Sequence, residues 1–168
     1  MSQSWWIPIL QDEVSLNDTV LDLGCGIMGV TKNLRCLSIL GVDVCEDYLN
    51  QIKGRVPVIW TDARFATKQL MLSQSFDVVL AIDFIEHLDR QSGLELLDEM
   101  SRVARKKAIV FTPEGFIEQK DGIGWAQGKP EYQSHKSGWT ADDFKGWRVR
   151  ILPDTEVNHI FAVKEVGL

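Results

Sequence analysis

Cysteine, histidine and proline are scarce in this chain of 168 residues, which has three Cys, three His and five Pro. Cys25, Cys36 and Cys45 are odd in number and form no Cys-x-x-Cys pair, which argues against a disulfide framework and a structural zinc site. A reduced, cytoplasmic setting is the expected one. No apolar run approaches the ~20 residues of a membrane span. The first ten residues lack a basic region and hold only the short run Trp5 to Leu10, so no signal peptide is expected. Cationic charge is also in deficit: 18 Lys+Arg against 24 Asp+Glu leave a net charge of −6. A general nucleic-acid binder, which must neutralise phosphates, is disfavoured. Neither repeats nor low-complexity linkers divide the chain. At 45% hydrophobic and 25% charged, it has ordinary globular proportions, and its length suits one domain over residues 1–168.

What is present is a recurring unit of a short apolar run followed by a helical pattern. Val20 to Leu23, Ser38 to Asp43, Val56 to Trp60, Phe76 to Ile82 and Ala108 to Phe111 read as buried strands bounded by Gly, Pro or Asp. Strands alternating with helices predict an α/β fold, a Rossmann-like doubly wound sheet that is mostly parallel. Pro57 places the third strand at an edge, since it removes a ladder donor. Arg148 to Leu152 and His159 to Val166 add two strands joined through Pro153-Asp154. That makes seven, with the last one antiparallel. Ser92-Gly-Leu-Glu95 reads as a capping box opening a helix with Leu94, Leu97, Met100 and Ala104 on one face. Thr140 is expected to cap a turn, with Trp139 and Phe144 as its hydrophobic staple.

Gly24-Cys-Gly26-Ile-Met-Gly29 ends the first strand and is expected to open a helix. Read literally it is a dinucleotide pattern, and Asp43 falls 19 residues past Gly24, at the offset of a ribose-binding carboxylate. A nicotinamide-dependent oxidoreductase is therefore one reading. Asp22 points elsewhere, because a carboxylate at the end of a buried strand needs a partner, and a cationic amino or sulfonium ligand suits it better than a pyrophosphate. Asp43 and Asp62 follow at the ends of the second and third strands. Ligands of open α/β sheets bind at those ends, so Asp22, Asp43 and Asp62 line one crevice in the order amino acid, ribose and base.

At these residues the sequence resembles the class I S-adenosylmethionine-dependent methyltransferases of the small-molecule type. The likeness runs through Val20-Leu-Asp-Leu-Gly-Cys-Gly26, Gly41-Val-Asp43, Thr61-Asp62-Ala63, Phe76-Asp-Val-Val and Ile85-Glu-His-Leu88. The resemblance implies S-adenosylmethionine as cofactor. Asp22, Gly24 and Gly26 would surround its methionine part and Asp43 its ribose, with Val44 against the adenine. Asp62 would accept from the adenine amino group beside Ala63, and Asp83 would lie near the transferred methyl. The family's third glycine falls where this chain has Met28, whose side chain must either crowd the cofactor or be absorbed by a rearranged loop. The sequence has no Asn-Pro-Pro-Tyr-like tetrapeptide after the fourth strand, which disfavours the nucleobase- and amide-methylating subgroup.

Acceptor chemistry must come from few groups. His87 follows the fourth strand and is a candidate base, with helix entry as its plainer role. His135 lies in an aperiodic segment, 112–138, that reads as a substrate lid; it includes Trp125 and Tyr132, with Trp139 directly after it. It is a candidate substrate-facing residue and general base. His159 opens a strand and is expected to be structural. Arg102, Arg105, Lys106 and Lys107 read as a solvated helix C-terminus, and Cys25 as a packing residue. Residues 1–18 form a short N-terminal cap. A small-molecule acceptor and a monomer or homodimer are expected. A non-catalytic cofactor-binding module of the same fold is the reading that remains beside the enzyme.

Overall fold

The computed structural model describes residues 5–119 and 130–167. Seven strands form one sheet: β1 (Thr19–Leu23), β2 (Ser38–Asp43), β3 (Val58–Trp60), β4 (Phe76–Ile82), β5 (Ala104–Pro113), β6 (Arg148–Leu152) and β7 (His159–Glu165). Their spatial order is β3-β2-β1-β4-β5-β7-β6. Strands β1 to β5 pair in parallel, and β7 runs antiparallel to both of its neighbours, β5 and β6. β3 holds the edge, with Pro57 just before it. The sheet reverses its strand order between β1 and β4, and the crevice above that point is where an open α/β sheet takes its ligand.

Alternation along the strands feeds two cores. Leu21, Leu23, Val79, Ala81, Ala108 and Val110 face one way, onto the helix Arg90–Val103 and onto Trp139 and Phe144. Val20, Val78, Leu80, Ile109 and Phe111 face the other, onto Leu10, Trp6 and Val14 of the N-terminal cap. The helices are α1 (Ile7–Glu13), α2 (Glu46–Ile52), α3 (Ala63–Phe65, which widens into a π turn over Ala66–Leu70), α4 (Arg90–Val103) and α5 (Pro130–Gln133). None of the described helices is long and apolar enough to cross a membrane.

The structure departs from the sequence reading in three places. The glycine loop opens no α-helix. Gly24, Gly26 and Met28 all have positive φ, which breaks a right-handed ladder, and only a single 3-10 turn follows at Thr31–Asn33. Helix α4 starts earlier than Ser92, because Asp89 is the N-cap and accepts from both the Ser92 N–H (3.0 Å) and the Ser92 hydroxyl (2.7 Å). This start turns Leu94 outward and buries Gly93, Leu96, Leu97, Met100 and Val103 instead, while Ala104 already belongs to β5. Arg105, Lys106 and Lys107 are strand residues of β5, paired with Asp77, Asp18 and Glu13. Arg102 stays in α4, where it pairs with Glu99 and donates to the Thr67 carbonyl. The Thr140 capping box with Asp143 forms, and Trp139 meets Phe144 at 5.9 Å between ring centroids.

Candidate active site

A cavity of roughly 700 Å³ opens at the carboxyl ends of β1, β2 and β4. All the residues singled out in the sequence line it: Asp22, Gly24, Gly26, Asp43, Val44, Asp62, Ala63, Asp83, His87 and His135.

Asp22 lies on the β1 face shared with Val20 and is 2% exposed, with the Thr31 hydroxyl donating to it. Burial raises its pKa to about 7; the Thr31 bond pulls it down and the Asp43 charge pushes it up. Asp43 ties the glycine loop to β2, accepting from the Gly26 N–H at 2.8 Å and the Cys45 N–H at 2.7 Å. Burial raises the Asp43 carboxyl too, against those backbone donors. Asp62 caps α3 and is clasped by Arg64, whose Nη2 lies 2.6 Å away and whose Nη1 reaches Ser92. The Arg64 side-chain bond leads in holding the Asp62 carboxyl below its usual range.

Gly24 has no room for a side chain. At φ +67 an added Cβ would stand 2.2 Å from Cδ2 of Phe84. Met28 answers the missing third glycine by taking φ 52 and burying its side chain (1% exposed) in a small cluster with Cys25, Leu49 and Ile52. Burial pushes the Cys25 thiol far up, so Cys25 is an inert packing group.

Beyond the fourth strand Asp83 also takes a positive φ of 47, in the left-handed region that non-glycine residues visit mainly at strained or functional positions. The next 3-10 turn, Ile85–His87, carries Glu86 and His87. Glu86 is 3% exposed and accepts from the Thr112 hydroxyl at 2.9 Å. Burial raises the Glu86 carboxyl; Asp83 is open to the cavity at its surface, yet the surrounding protein walls desolvate its carboxyl and raise it too, and its charge raises Glu86 further. His87 and His135 meet edge to face at 5.0 Å. Burial lowers His87 to about 4 and also lowers His135, so both rings are neutral at pH 7.

Of segment 112–138, residues Thr112 and Pro113 complete β5, while Trp125 lies outside the described residues. The limb at 130–137 contributes Tyr132, Gln133, His135 and Lys136 to the cavity lining. Gln133 donates to the Tyr48 hydroxyl at 2.7 Å, and the Lys136 N–H donates to the Glu86 carbonyl at 2.7 Å. Arg90 fastens its end by donating to the Gly138 carbonyl, pairing with Asp143 and lying over the Trp139 ring. His159 also lines the cavity, stacked on Phe111, which stacks in turn on Trp6. Thr31, Tyr48, Phe84 and the role of Glu86 went unremarked in the sequence. Only Glu86 carried a signal, as a carboxylate between two singled-out residues.

This fold, with an acid-floored cavity at the strand ends, is that of the class I S-adenosylmethionine-dependent methyltransferases. A family model described as "Methyltransferase domain" matches residues 21–112, and the chain belongs to that family. The literal glycine pattern is therefore not that of a nicotinamide enzyme. No curated protein matches the chain in sequence. Among solved structures, a SAM-dependent methyltransferase from Archaeoglobus fulgidus is similar at a TM-score of 0.68 and 18% identity, over 94% of each chain. Magnesium protoporphyrin IX methyltransferase from Synechocystis, with bound SAM, gives 0.62 at 14% identity, over 94% of this chain and 76% of that one. The 1,6-didemethyltoxoflavin-N1-methyltransferase of Burkholderia thailandensis gives 0.66 at 13% identity, over 96% and 76%.

Proposed function

We propose that this chain, acting as a single domain, moves the methyl group of S-adenosylmethionine to a small-molecule acceptor held beside His87 and His135. The observation that carries this is one cavity shared by the strand-end carboxylates and the histidine pair, with a volume inside the ~300–1,000 Å³ of small-molecule sites. Asp22, a buried carboxylate with one hydroxyl partner, suits the cationic amino-acid end of the cofactor, with Gly24 and Gly26 beside it. Asp43 and Val44 take the ribose and adenine. Asp62 and Ala63 take the adenine edge, and Asp83 stands near the methyl. Methyl transfer from a sulfonium gains most from alignment, which the limb at 130–137 supplies as the acceptor-side wall. His135 faces the acceptor, and for an oxygen or amine acceptor it receives the proton, with His87 as its neighbour. Two relatives of the same fold act on a porphyrin and on a toxoflavin precursor, which supports a small acceptor. The free cysteines support a cytoplasmic setting.

Calorimetric titration with S-adenosylmethionine and S-adenosylhomocysteine tests the cofactor half. Asp43→Ala is expected to weaken binding at least about tenfold, as for a lost hydrogen bond to a charged group; unchanged affinity overturns the site. Turnover across an acceptor panel separates an enzyme from a module that only binds. With an acceptor in hand, intact turnover in His135→Ala removes the base role.

A further inference from the structure

The chain has one cluster of Glu and His whose ligating atoms converge, among the described residues. One donor atom each from Glu86, His87 and His135 lies within 4.8 Å of the other two. A divalent ion bound at ~2.0–2.2 Å brings its donors to about 3–3.5 Å from one another. Closing the cluster therefore takes roughly 1–2 Å of movement, within reach of two half-buried rings on a cavity wall.

The surroundings of the three groups supply a second observation. Histidine ligands usually hold their other ring nitrogen on a backbone carbonyl or carboxylate, and carboxylate ligands are hydrogen-bonded in turn. His87 Nδ1 lies 3.3 Å from the Ser134 carbonyl oxygen, with the Gln133 backbone also beside its ring, the Ile117 backbone stands beside the His135 ring, and Glu86 accepts from Thr112 at 2.9 Å. Each potential ligand already has its orienting partner, and none of those partners is another potential ligand. Asp83 adds a neighbouring negative charge, and Lys136 is the cation that opposes it.

We propose that Glu86, His87 and His135 bind one divalent transition-metal ion of the zinc class, and that the acceptor reaches this ion through an oxygen atom. Two imidazoles and one carboxylate suit zinc with a position left open for substrate. The acceptor class is thereby a small molecule bearing a hydroxyl that can coordinate. Coordination releases the hydroxyl proton to water. An oxygen lone pair then forms the new O–C bond to the methyl carbon as the C–S bond breaks, and that bond's electron pair stays on sulfur as the neutral thioether. The products are the methyl ether, S-adenosylhomocysteine and one proton. The ion also ties the limb at 130–137 to the β4 end; with it bound, His135 serves as a ligand and the base role proposed above passes to water. The acceptor chemistry rests on the methyltransferase reading; the ion site does not.

The test is competition for zinc chloride between chelator-stripped protein and a chromophoric chelator, followed by cobalt substitution read in the visible spectrum. One ion per chain is expected. Loss of a ligand in His135→Ala or His87→Ala should weaken binding by about 100-fold or more, and Thr112→Val by about 10–100-fold, the range for an orienting partner. The cobalt absorption should vanish in His135→Ala. Substoichiometric binding, or undiminished affinity in both histidine variants, overturns the proposal. Titration of the same samples with S-adenosylmethionine, together with a thermal melt, separates the cases. Cofactor binding without zinc binding removes the ion alone, while zinc binding without cofactor binding removes the methyltransferase reading and leaves the ion.

Discussion

With Asp22 as the proposed partner of the cofactor's ammonium, cofactor binding should depend on pH with a definite sign. Its carboxyl is raised from 3.8 to about 7 in the ligand-free protein, chiefly by burial. Ionising it inside the fold therefore costs about 4 kcal/mol relative to the unfolded chain, at ~1.4 kcal/mol per pKa unit. Because the folded value is the higher one, the associated stability is fully present below the unfolded value of 3.8 and is lost as pH rises through about 7. In the proposed site the cofactor's ammonium pairs only with the ionised form, so below 7 binding must also expel the proton. That weakens affinity by a factor approaching ten per pH unit, about 15-fold between pH 7 and pH 5.5. An ordinary α-amino group, near ~7.7–8.0, stays protonated throughout this window.

Calorimetry with S-adenosylhomocysteine from pH 5.5 to pH 7 reads the slope directly. Asp43, Asp83 and Glu86 are raised as well, so the informative quantity is the difference between wild type and Asp22→Asn. The variant should bind weakly at pH 7 and lose most of the slope. Thr31→Val removes the donor that partly offsets burial and should move the wild-type midpoint to higher pH. Ligand-free Asp22→Asn should in turn gain stability over wild type above pH 7, by as much as about 4 kcal/mol. Equal slopes in wild type and Asp22→Asn, or tighter binding toward acid, would refute the reasoning.

Gly24→Ala should lower stability by about 2–4 kcal/mol, combining a left-handed non-glycine residue with an overpacked contact on Phe84; adding Phe84→Ala should recover the contact part in a denaturant melt. Asp77 is penalised by burial, yet the Thr19 N–H, Arg105 and Lys106 overcome that and hold its carboxyl well below the usual range. Its stabilisation is present above the unfolded value of 3.8 and is lost as pH falls through the lower folded value, so Asp77→Asn should cost about 1–3 kcal/mol at pH 7 and almost nothing in strong acid, read from melts at each pH. Tyr48→Phe removes the acceptor for Gln133 and should speed proteolytic cleavage of the limb at 130–137 while leaving the thermal midpoint within about 2–4 °C.

The strands were legible because each is an apolar run that a polar or turn residue stops, and β2, β4 and β6 begin and end where their patterns do. β5 was read short because Arg105, Lys106 and Lys107 look solvated in sequence. They lie in the strand because its backbone pairs with β4 and β7, and Asp77, Asp18 and Glu13 from other elements meet their charges. The helix expected after Gly26 is absent for the converse reason. Its local pattern was favourable, but the loop turns left-handed at Met28 so that this side chain can enter the cluster with Leu49 and Ile52. The floor of the cavity followed from one topological rule, since strand-end carboxylates gather wherever parallel strands end together. Its walls did not, because Thr112 with Glu86 and Tyr48 with Gln133 are pairings across the fold with no spacing to betray them.

The two halves of the cavity are held by different means, and this bears on where specificity resides. On the proposed cofactor side, Asp43 ties the glycine loop to β2 through the Gly26 N–H and holds its own turn through the Cys45 N–H, Phe84 closes on Gly24, and Met28 is buried beneath. That half is built into the sheet and its core, so a change there costs stability as well as affinity. The proposed acceptor side is the limb at 130–137, fastened through Gln133 to Tyr48 and through Lys136 and Ser137 to the Glu86 carbonyl. Tyr132, Gln133 and Lys136 line the cavity without belonging to any of its hydrophobic clusters. Substituting them alters the wall an acceptor meets while leaving the sheet, the glycine loop and the strand-end carboxylates in place. Acceptor preference is therefore expected to change at these positions with little loss of cofactor affinity, whereas the same exchange should not be obtainable from Asp22, Gly24 or Asp43.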